Sequence, residues 1–308
     1  MTRLSIITPS FNQGRFIRRT IASVLDQAVD GVEYIVVDGG STDETLAILH
    51  EFGHRIRWIS EPDEGQTDAV NKGLRMATGD VVGWLNSDDT YEPGAFEKVL
   101  RFFDEHPEVE VVYGHANVIG ADDDFIEPYY TEDWNPERLK EVCFVCQPAL
   151  FFRRSVVEKV GPLDARLRYC MDYEYWLRLA KHGVHVARLP WTLANTRMYE
   201  SNKTVGSRTR VCREINEMMA RTLGKVPDHW IITYSHAVLE ARGFTYKAAP
   251  LRFAVLVSAL CWISALWWNH SVSPGVRGLT RQWVVGNLAI KWSALREGLG
   301  RELARISR

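Results

Sequence analysis

Two adjacent carboxylates, Asp88 and Asp89, follow the apolar run VVGWL at residues 81–85. An apolar run without polar alternation predicts a strand that is covered on both faces, as in a parallel sheet flanked by helices. Ligands of such sheets bind beyond the carboxyl ends of the strands. Adjacent carboxylates repel each other, and a divalent cation that carries a phosphate relieves this repulsion. The alternative is that the pair only marks the start of the next helix.

Short β-like runs recur at intervals of about 25 residues along the first part of the chain. They occupy residues 4–8, 34–37, 56–59, 81–85 and 109–113. The segments between them have helical periodicity, most clearly at 14–27 and 97–103. Strands that alternate with helices predict an α/β fold with a parallel sheet and right-handed crossovers. With 308 residues, 46% of them hydrophobic, the chain can bury the core of one large domain with an appendage.

Candidate ligand-binding residues also stand at the ends of the first two predicted strands. Pro9, Ser10 and Phe11 follow the first strand, and Asp38 ends the second. Free backbone amides at a helix start can meet an anion, and an aspartate at a strand tip can accept from a ring N–H or a ribose hydroxyl. Helix capping by neighbouring hydroxyls is compatible with this interpretation. Polar residues that open the later helix at 64–76 can contact the same ligand or serve as surface caps; they include Gln66, Asp68 and Asn71.

Two motifs are interpreted as structural. Residues 50–54, HEFGH, match the HExxH pattern of zinc proteases, but Arg57 and Ser60 stand where the extended motif has Gly and His. Cys143 and Cys146 form a CxxC inside an apolar run without a second pair, which favours buried thiols over a metal or redox site. Five scattered cysteines favour a reducing compartment, and the start MTRLSIITPS lacks the pattern of a cleaved signal peptide.

Five motifs stand in a familiar order and spacing: SIITPSFNQ, VVDGGSTDET, EPDEGQTDAVNKG, ATGDVVGWLNSDD and MDYEYWLRL. Over residues 3–205 the chain resembles family 2 glycosyltransferases with a GT-A fold. The resemblance implies sugar transfer from a nucleotide diphosphate-sugar, with inversion, using Mg²⁺ or Mn²⁺. It also implies residue roles: Pro9, Ser10 and Asp38 at the nucleoside, Asp88 and Asp89 at the metal, Asp172 as general base and Gln147 on the acceptor side.

Physical chemistry supports this division of roles. An inverting displacement needs one carboxylate near the acceptor hydroxyl and a separate means of stabilising the leaving diphosphate. Asp172 precedes an apolar helical stripe on a different element from Asp88 and Asp89; its alternative role is to cap that helix.

Three positions depart from the family pattern: Asn86, Met171 and Tyr199 stand where the family often has Asp, Glu and His. Asn86 leaves two carboxylates for the metal, and Tyr199 removes a possible metal ligand. Arg197 and Lys203 remain candidates to pair with the diphosphate.

The last part of the chain differs in character from the rest. Residues 206–249 are predicted to form connecting helices, and residues 250–308 a hydrophobic and basic helical tail. The tail holds eight Arg or Lys and two Glu, and its run 253–268 has sixteen uncharged residues with three tryptophans. Such a run is short for a membrane span and typical of an interfacial helix. We expect contact with an anionic membrane surface; a helical cap or an oligomer contact is the alternative.

These observations favour a cytoplasmic enzyme at the inner face of the cell membrane that glycosylates a glycan or lipid-linked acceptor. A nucleic-acid partner is not expected, because the basic excess is confined to the tail. Departures at three site positions keep a second hypothesis open, a nucleotide-sugar or glycan-binding module without catalysis. A third, a nucleotidyltransferase, lacks the glycine-rich basic loop expected after the first strand.

Overall fold

The computed structural model describes residues 3–27, 29–200, 202 and 205–306, with side chains described up to residue 290 except for residue 205. The chain forms two compact units, residues 1–206 and 207–308. The first is an α/β unit, and the second consists of helices.

Nine strands of the first unit form one sheet. They are β1 (Leu4–Ser10), β2 (Glu33–Asp38), β3 (Arg57–Ser60), β4 (Val81–Trp84), β5 (Thr90–Tyr91), β6 (Val111–Ile119), β7 (Phe125–Pro128), β8 (Leu150–Arg153) and β9 (Val186–Arg197). Their order is β3-β2-β1-β4-β8-β6-β9-β5, with β7 paired to β6.

Helices connect these strands in the first unit. They are α1 (Gly14–Leu25), α2 (Thr45–Phe52), α3 (Gln66–Met76), α4 (Ala95–Glu105), α5 (Pro136–Glu141), α6 (Ser155–Val160) and α7 (Met171–Lys181). Helix α2 ends at Phe52, before Gly53 with a φ of 52°, so the HEFGH segment bends away from a continuous helix. The His50 ring there packs edge-on against Trp58.

The α/β prediction is confirmed, and the strand directions refine it. Strands β3, β2, β1 and β4 are parallel to one another, as the βαβ pattern predicts. The fifth predicted strand, β6, runs in the same direction but does not pair with β4, because β8 inserts between them and is antiparallel to both. All seven residues of β1 are buried, because helices cover both faces of the sheet's centre.

The second unit contains four helices among the described residues: α8 (Arg208–Leu223), α9 (Asp228–Glu240), α10 (Pro250–Asn269) and α11 (Pro274–Ile306). Helix α10 has 20 residues and a mean hydropathy of 1.7, so by length and composition it can cross a membrane; 33% of its apolar window is buried within the protein. It extends beyond the sixteen-residue run seen in the sequence.

Candidate active site

The carboxyl ends of β1, β2 and β3 meet at one edge of the sheet. Ser10, Asp38 and Ser60 are register partners on the three strands. The buried carboxylate of Asp38 accepts hydrogen bonds from the Ser41 amide (2.8 Å), the Ser41 hydroxyl (2.5 Å), the Ser60 hydroxyl (2.7 Å) and the Gly40 amide (3.1 Å). Asp38 therefore fixes the turn after β2, and its predicted contact with a nucleoside must coexist with these bonds.

Ser10 and Phe11 lie at the tip of β1. The Ser10 hydroxyl is buried, and among the described residues it has no hydrogen-bond partner. Phe11 is 58% exposed, next to this hydroxyl in the chain. Because an unpaired buried hydroxyl is costly, a ligand that bonds to Ser10 recovers free energy. This arrangement is compatible with the donor-binding role predicted for both residues, and Pro9 precedes them on the same strand.

Asn86 organises the turn that carries the two aspartates. Its Oδ1 accepts from Gln66 Nε2 at 2.7 Å and from Trp84 Nε1 at 3.1 Å, and its Nδ2 donates to Asp89 Oδ2 at 3.2 Å. The Thr20 hydroxyl of α1 donates to the carbonyls of Ser87 and Asp89 from the other side. An amide suits this position because it must accept from two donors and donate to a carboxylate, which an ionised aspartate cannot do.

Strand β9 delivers Arg197 to the same turn. Thr90 pairs with Asn195 across β5 and β9, so the Arg197 amide donates to Asp89 Oδ1 at 2.8 Å. The Arg197 Nε donates to the Asp88 carbonyl at 2.7 Å. Its other nitrogens bind the Gly120 carbonyl at 2.7 Å and the Asp123 carboxylate at 2.5 Å. The side chain has no exposed surface.

Through these contacts Arg197 fixes the turn that carries Asp88 and Asp89, which is called the aspartate turn below. Its predicted pairing with a diphosphate stays a prediction. Lys203, the other basic residue predicted there, lies outside the described residues.

Burial governs the electrostatics of the aspartate pair. Burial raises the pKa of Asp88 above its usual value, and the Tyr199 hydroxyl, which donates to Asp88 Oδ2 at 3.0 Å, opposes that shift. Burial and then the Asp88 charge hold the pKa of Asp89 well above its usual value, against hydrogen bonds from Arg197 and Asn86. Ionisation of both carboxylates is therefore unfavourable in the folded protein, and a cation bound beside them would favour their charged forms.

Asp172 lies in the first turn of α7, and its Oδ1 accepts from the Tyr173 amide at 2.8 Å. Its neighbours connect it to the aspartate turn. The pKa of the buried Cys146 thiol is raised by burial and then by the charges of Asp89, Cys143 and Asp172. Both aspartates therefore lie close enough to one thiol to perturb it, although 83 residues separate them in the chain. Cys143 and Cys146 form no disulfide.

Gln147 is attached to the last residue of β4. Its Nε2 donates to the Trp84 carbonyl at 2.5 Å, while its buried Oε1 has no partner among the described residues. An unpaired amide oxygen here is an acceptor for a hydroxyl group, which suits the predicted acceptor-side role.

Helix α3 holds the remaining predicted residues in structural contacts. Both ends of the Asn71 amide bind the Leu163 backbone, at 2.9 and 3.0 Å. Asp68 lies 3.4 Å from the Lys72 ammonium. The Asn71 bonds attach α3 to the segment that precedes α7, and the Asp68 contact lies within α3 itself. A contact of Asn71 or Asp68 with the sugar donor stays a prediction.

Few protein side chains are placed to act as ligands of a metal ion. In the part of the chain that the structure describes, no group of three or more His, Cys, Asp or Glu is placed to hold a metal ion. Both Asp89 oxygens accept hydrogen bonds from protein groups, whereas Asp88 is half-buried. Mg²⁺ commonly binds one or two carboxylates together with substrate phosphates and water. Asp88 would therefore be the ligand of an ion that arrives on a diphosphate, and Asp89 would contribute negative charge next to it.

Comparison with known proteins decides the family. The profile of glycosyl transferase family 2 matches residues 5–161, just over half of the chain. The chain belongs to glycosyl transferase family 2. A PGL/p-HBAD biosynthesis glycosyltransferase of Mycobacterium bovis is 32% identical over 189 residues, which cover 60% of this chain and 72% of that protein.

More distant relatives agree with this result. The chondroitin synthase of Escherichia coli is 30% identical over 184 residues, covering 58% of this chain and 27% of the synthase. The S. aureus TarS 1–349 structure in complex with UDP-GlcNAc has a TM-score of 0.59 at 15% identity, covering 96% of this chain and 92% of that one. The chain therefore has the GT-A fold, and by its family it is a glycosyltransferase that uses a nucleotide-sugar donor.

Some residues of the glycosyltransferase site gave no usable signal in the sequence. Asp123 anchors Arg197 and Arg19, but in the sequence it is one of three consecutive aspartates. Thr20 is an unremarkable position in an amphipathic helix. In the sequence Tyr199 stands out only as a replacement for His, whereas its contact with Asp88 depends on where β9 ends.

Proposed function

We propose that this glycosyltransferase is metal-dependent and inverting, with Asp88 as the protein ligand of a phosphate-bound Mg²⁺ or Mn²⁺ and Asp172 as the general base. The observation that carries the proposal is that the charges of Asp89 and Asp172, which lie on different elements, both raise the pKa of the buried Cys146 thiol. One carboxylate is thus available to the acceptor and a separate pair to the leaving diphosphate. We assign catalysis to residues 1–205 and a supporting role to the helices of 206–249.

The residues divide the reaction between them. The Asp172 carboxylate accepts the acceptor hydroxyl's proton as the oxygen attacks the anomeric carbon. The Gln147 Oε1 accepts a hydrogen bond from the acceptor and orients it. The Ser10 hydroxyl binds the nucleotide, and the Asp88–Asp89 turn faces its diphosphate. When bound, the cation neutralises charge on the departing diphosphate without a protonated acid.

The comparisons suggest which substrates to test first. TarS is described in complex with UDP-GlcNAc, and the M. bovis relative as a PGL/p-HBAD biosynthesis enzyme. We therefore propose a uridine diphosphate-sugar as donor and a cell-surface glycan or lipid-linked hydroxyl as acceptor.

The test is a transfer assay of the full chain with nucleotide sugars, with Mg²⁺, with Mn²⁺ and with a chelator. We expect Asp172→Asn to lower kcat at least about 100-fold while the donor Kd is unchanged. The asparagine keeps an acceptor oxygen for the Tyr173 amide, so helix capping persists. Asp164→Asn, at an aspartate paired with exposed Arg166 near α7, is the matched control and should remain active.

Three results would overturn parts of the proposal. Full activity of Asp172→Asn would remove the base role, and full activity with the chelator would remove the metal. Donor binding without transfer to any acceptor would instead support the binding-module hypothesis.

We further propose that the enzyme acts as a cytoplasmic, peripheral protein at the membrane surface, in contact through residues 250–308. The support is the outward face of α10, where Trp267 is 76% exposed and Ile263 is 61% exposed. In a vesicle sedimentation assay we expect Ile263→Glu/Trp267→Glu to abolish pelleting of the full chain, with transfer to a soluble acceptor retained. Equal pelleting of this variant and the unmodified chain would refute the location.

A further inference from the structure

A groove of about 360 Å³ runs between α10 and α11 in the second unit. Its α10 side is formed by Ala259 and Trp262, and its α11 side by Arg277, Arg281 and Val284. The Trp262 Nε1 donates to the buried Thr280 hydroxyl at 3.0 Å, which fixes the indole against α11. The groove therefore has a defined wall of aromatic and apolar groups facing a basic wall.

The basic wall consists of two arginines one helical turn apart. Arg277 and Arg281 are both exposed, and residues at this spacing lie on the same face of a helix. Among the described residues neither forms an ion pair with a carboxylate; the Arg277 Nε makes a long bond, 3.4 Å, to the Ser273 carbonyl. Two neighbouring cations without acidic partners repel each other, so an anion bound between them is stabilising. Guanidinium groups suit phosphate in particular, because they donate to it in pairs.

The apolar wall continues along α10 beyond the groove. An uninterrupted exposed stripe covers the outward face of that helix; it comprises Val255, Ala259, Trp262, Ile263, Leu266 and Trp267. From residue 255 to residue 267 the stripe is about 18 Å long at 1.5 Å per residue. This is close to half the hydrocarbon thickness of a bilayer, about 15 Å. The dimension matches one acyl chain lying along the helix.

We propose that this groove binds an anionic phospholipid of the bilayer, with the lipid phosphate between Arg277 and Arg281 and an acyl chain along the α10 stripe. The inference rests on the membrane location proposed above and adds a specific lipid site to it. A protein partner would also cover an apolar stripe, but the two unpaired arginines at its edge favour a ligand that joins one phosphate to a long apolar chain. The indole of Trp262, bonded at its N–H, lies where these two parts of the lipid meet, as tryptophans do at membrane interfaces.

The test compares full-chain variants on two kinds of vesicle, phosphatidylcholine alone and phosphatidylcholine with phosphatidylglycerol. We expect the unmodified chain to prefer the anionic vesicles and Arg277→Gln/Arg281→Gln to bind them about 25-fold more weakly, at about fivefold per arginine. The matched control is Arg210→Gln/Arg242→Gln, which removes the same charge from two exposed arginines of the second unit outside the groove. This control should bind within about threefold of the unmodified chain.

A fluorescence measurement locates the lipid. Phosphatidylglycerol with brominated acyl chains should quench part of the tryptophan emission, and Trp262→Phe should remove a share of that quenching. Equal loss of binding in the groove and control variants would overturn the lipid site and leave only general charge attraction. Displacement of the protein from vesicles by 10 mM inorganic phosphate, with the groove variant insensitive, would show a site for free anions instead.

Two further outcomes separate this inference from the proposed function. If the unmodified chain does not bind anionic vesicles, the membrane location and the lipid site both fail, while transfer to a soluble acceptor still tests the chemistry. If it binds them and the groove variant binds equally well, only the lipid site fails. A dimer in sedimentation equilibrium that dissociates in the groove variant, without vesicle binding, would assign the groove to a second copy of the chain.

Discussion

The Tyr199 hydroxyl donates a hydrogen bond of 3.0 Å to Oδ2 of Asp88. The Tyr199 ring packs on Phe16 of α1, with 4.8 Å between the ring centroids, and this contact fixes the position of the hydroxyl. Burial and the Asp88 charge raise the pKa of Tyr199, which keeps it a donor at all physiological pH values. Where the family often has a possible metal ligand, this enzyme thus has a neutral group that orients the carboxylate.

Removing this donor should change how activity depends on pH. The Tyr199 bond lowers the pKa of Asp88, so Tyr199→Phe should raise it and leave less ionised carboxylate in mildly acidic solution. We expect kcat/KM at pH 6, relative to pH 8, to fall about five-fold, the effect of one hydrogen bond of ordinary strength. A pH profile at fixed metal concentration measures this.

Tyr130→Phe is the control for that profile, because Tyr130 is exposed and donates to Glu132, away from Asp88. Its profile should match that of the unmodified enzyme. Parallel profiles for Tyr199→Phe and the unmodified enzyme would show that Asp88 does not limit the acid side.

The aspartate pair should cost stability at neutral pH. Both folded-state pKa values are raised by burial, and Asp89 further by the Asp88 charge, so the folded protein holds these protons more tightly than the unfolded chain. Stability should therefore fall as pH rises from about 4, the unfolded value, through the raised folded values. Asp88→Asn removes one titrating group and keeps an acceptor for Tyr199.

We expect Asp88→Asn to be more stable than the unmodified protein at pH 8, by on the order of 1 kcal/mol, with a smaller difference at pH 5. Activity should be lost. Urea denaturation at several pH values measures the difference, and Asp122→Asn, at an aspartate whose side chain is 88% exposed, should show no trend. A destabilised Asp88→Asn at pH 8 would show that its charge is favourable in the fold.

The sequence predicted the central part of the fold because its signals are local. The run 81–85 is apolar on every residue, and β4 is buried on every residue. The run 109–113 leads into β6, which runs in the same direction as β4; yet β6 pairs with the antiparallel strand β8 and not with β4, because pairing depends on a strand about 40 residues further along the chain. Periodicity contains no information about that choice.

The candidate site was likewise predictable only where its residues depend on local signals. The places of Asp38, Asp88 and Asp89 at the sheet edge could be predicted, because each ends or follows a strand of the parallel part, where position in the chain determines position at the sheet edge; their roles stay predictions. The role of Arg197 was not predictable, since its contacts with Asp88, Gly120 and Asp123 require the register of β9 against β5 and β6. Its charge suggested a phosphate ligand, whereas the fold buries that charge among carbonyls.

Close packing at Gly73 gives a test of how α3 is fixed beside the site. A Cβ at this residue would overlap Ile7 Cγ2 of the fully buried β1. We expect Gly73→Ala to destabilise the protein by about 1–3 kcal/mol, in spite of alanine's higher helix propensity. Gly286→Ala is the control, because a Cβ there meets nothing within 4 Å on an exposed helical position, and it should be neutral or stabilising. Thermal unfolding of both variants measures the difference, and a neutral Gly73→Ala would mean that α3 can shift away from β1.

Arg197→Lys separates the two roles considered for that residue. Lysine keeps the charge but cannot bond at once to the Asp88 carbonyl, the Gly120 carbonyl and the Asp123 carboxylate. If Arg197 anchors the aspartate turn, buried acceptors lose their donors, so stability should fall by about 2–4 kcal/mol and kcat/KM at least about ten-fold.

If Arg197 instead bound the diphosphate, Arg197→Lys would weaken UDP binding with little change in stability. Unfolding curves together with calorimetric titration of UDP distinguish these results. Arg19→Lys is the matched control, because Arg19 also pairs with Asp123, at 2.6 Å between Nη1 and Oδ2. The Arg19 side chain is 35% exposed, and among the described residues it has no bond to the aspartate turn. This variant should lose less than about 1 kcal/mol, because partly exposed ion pairs contribute little.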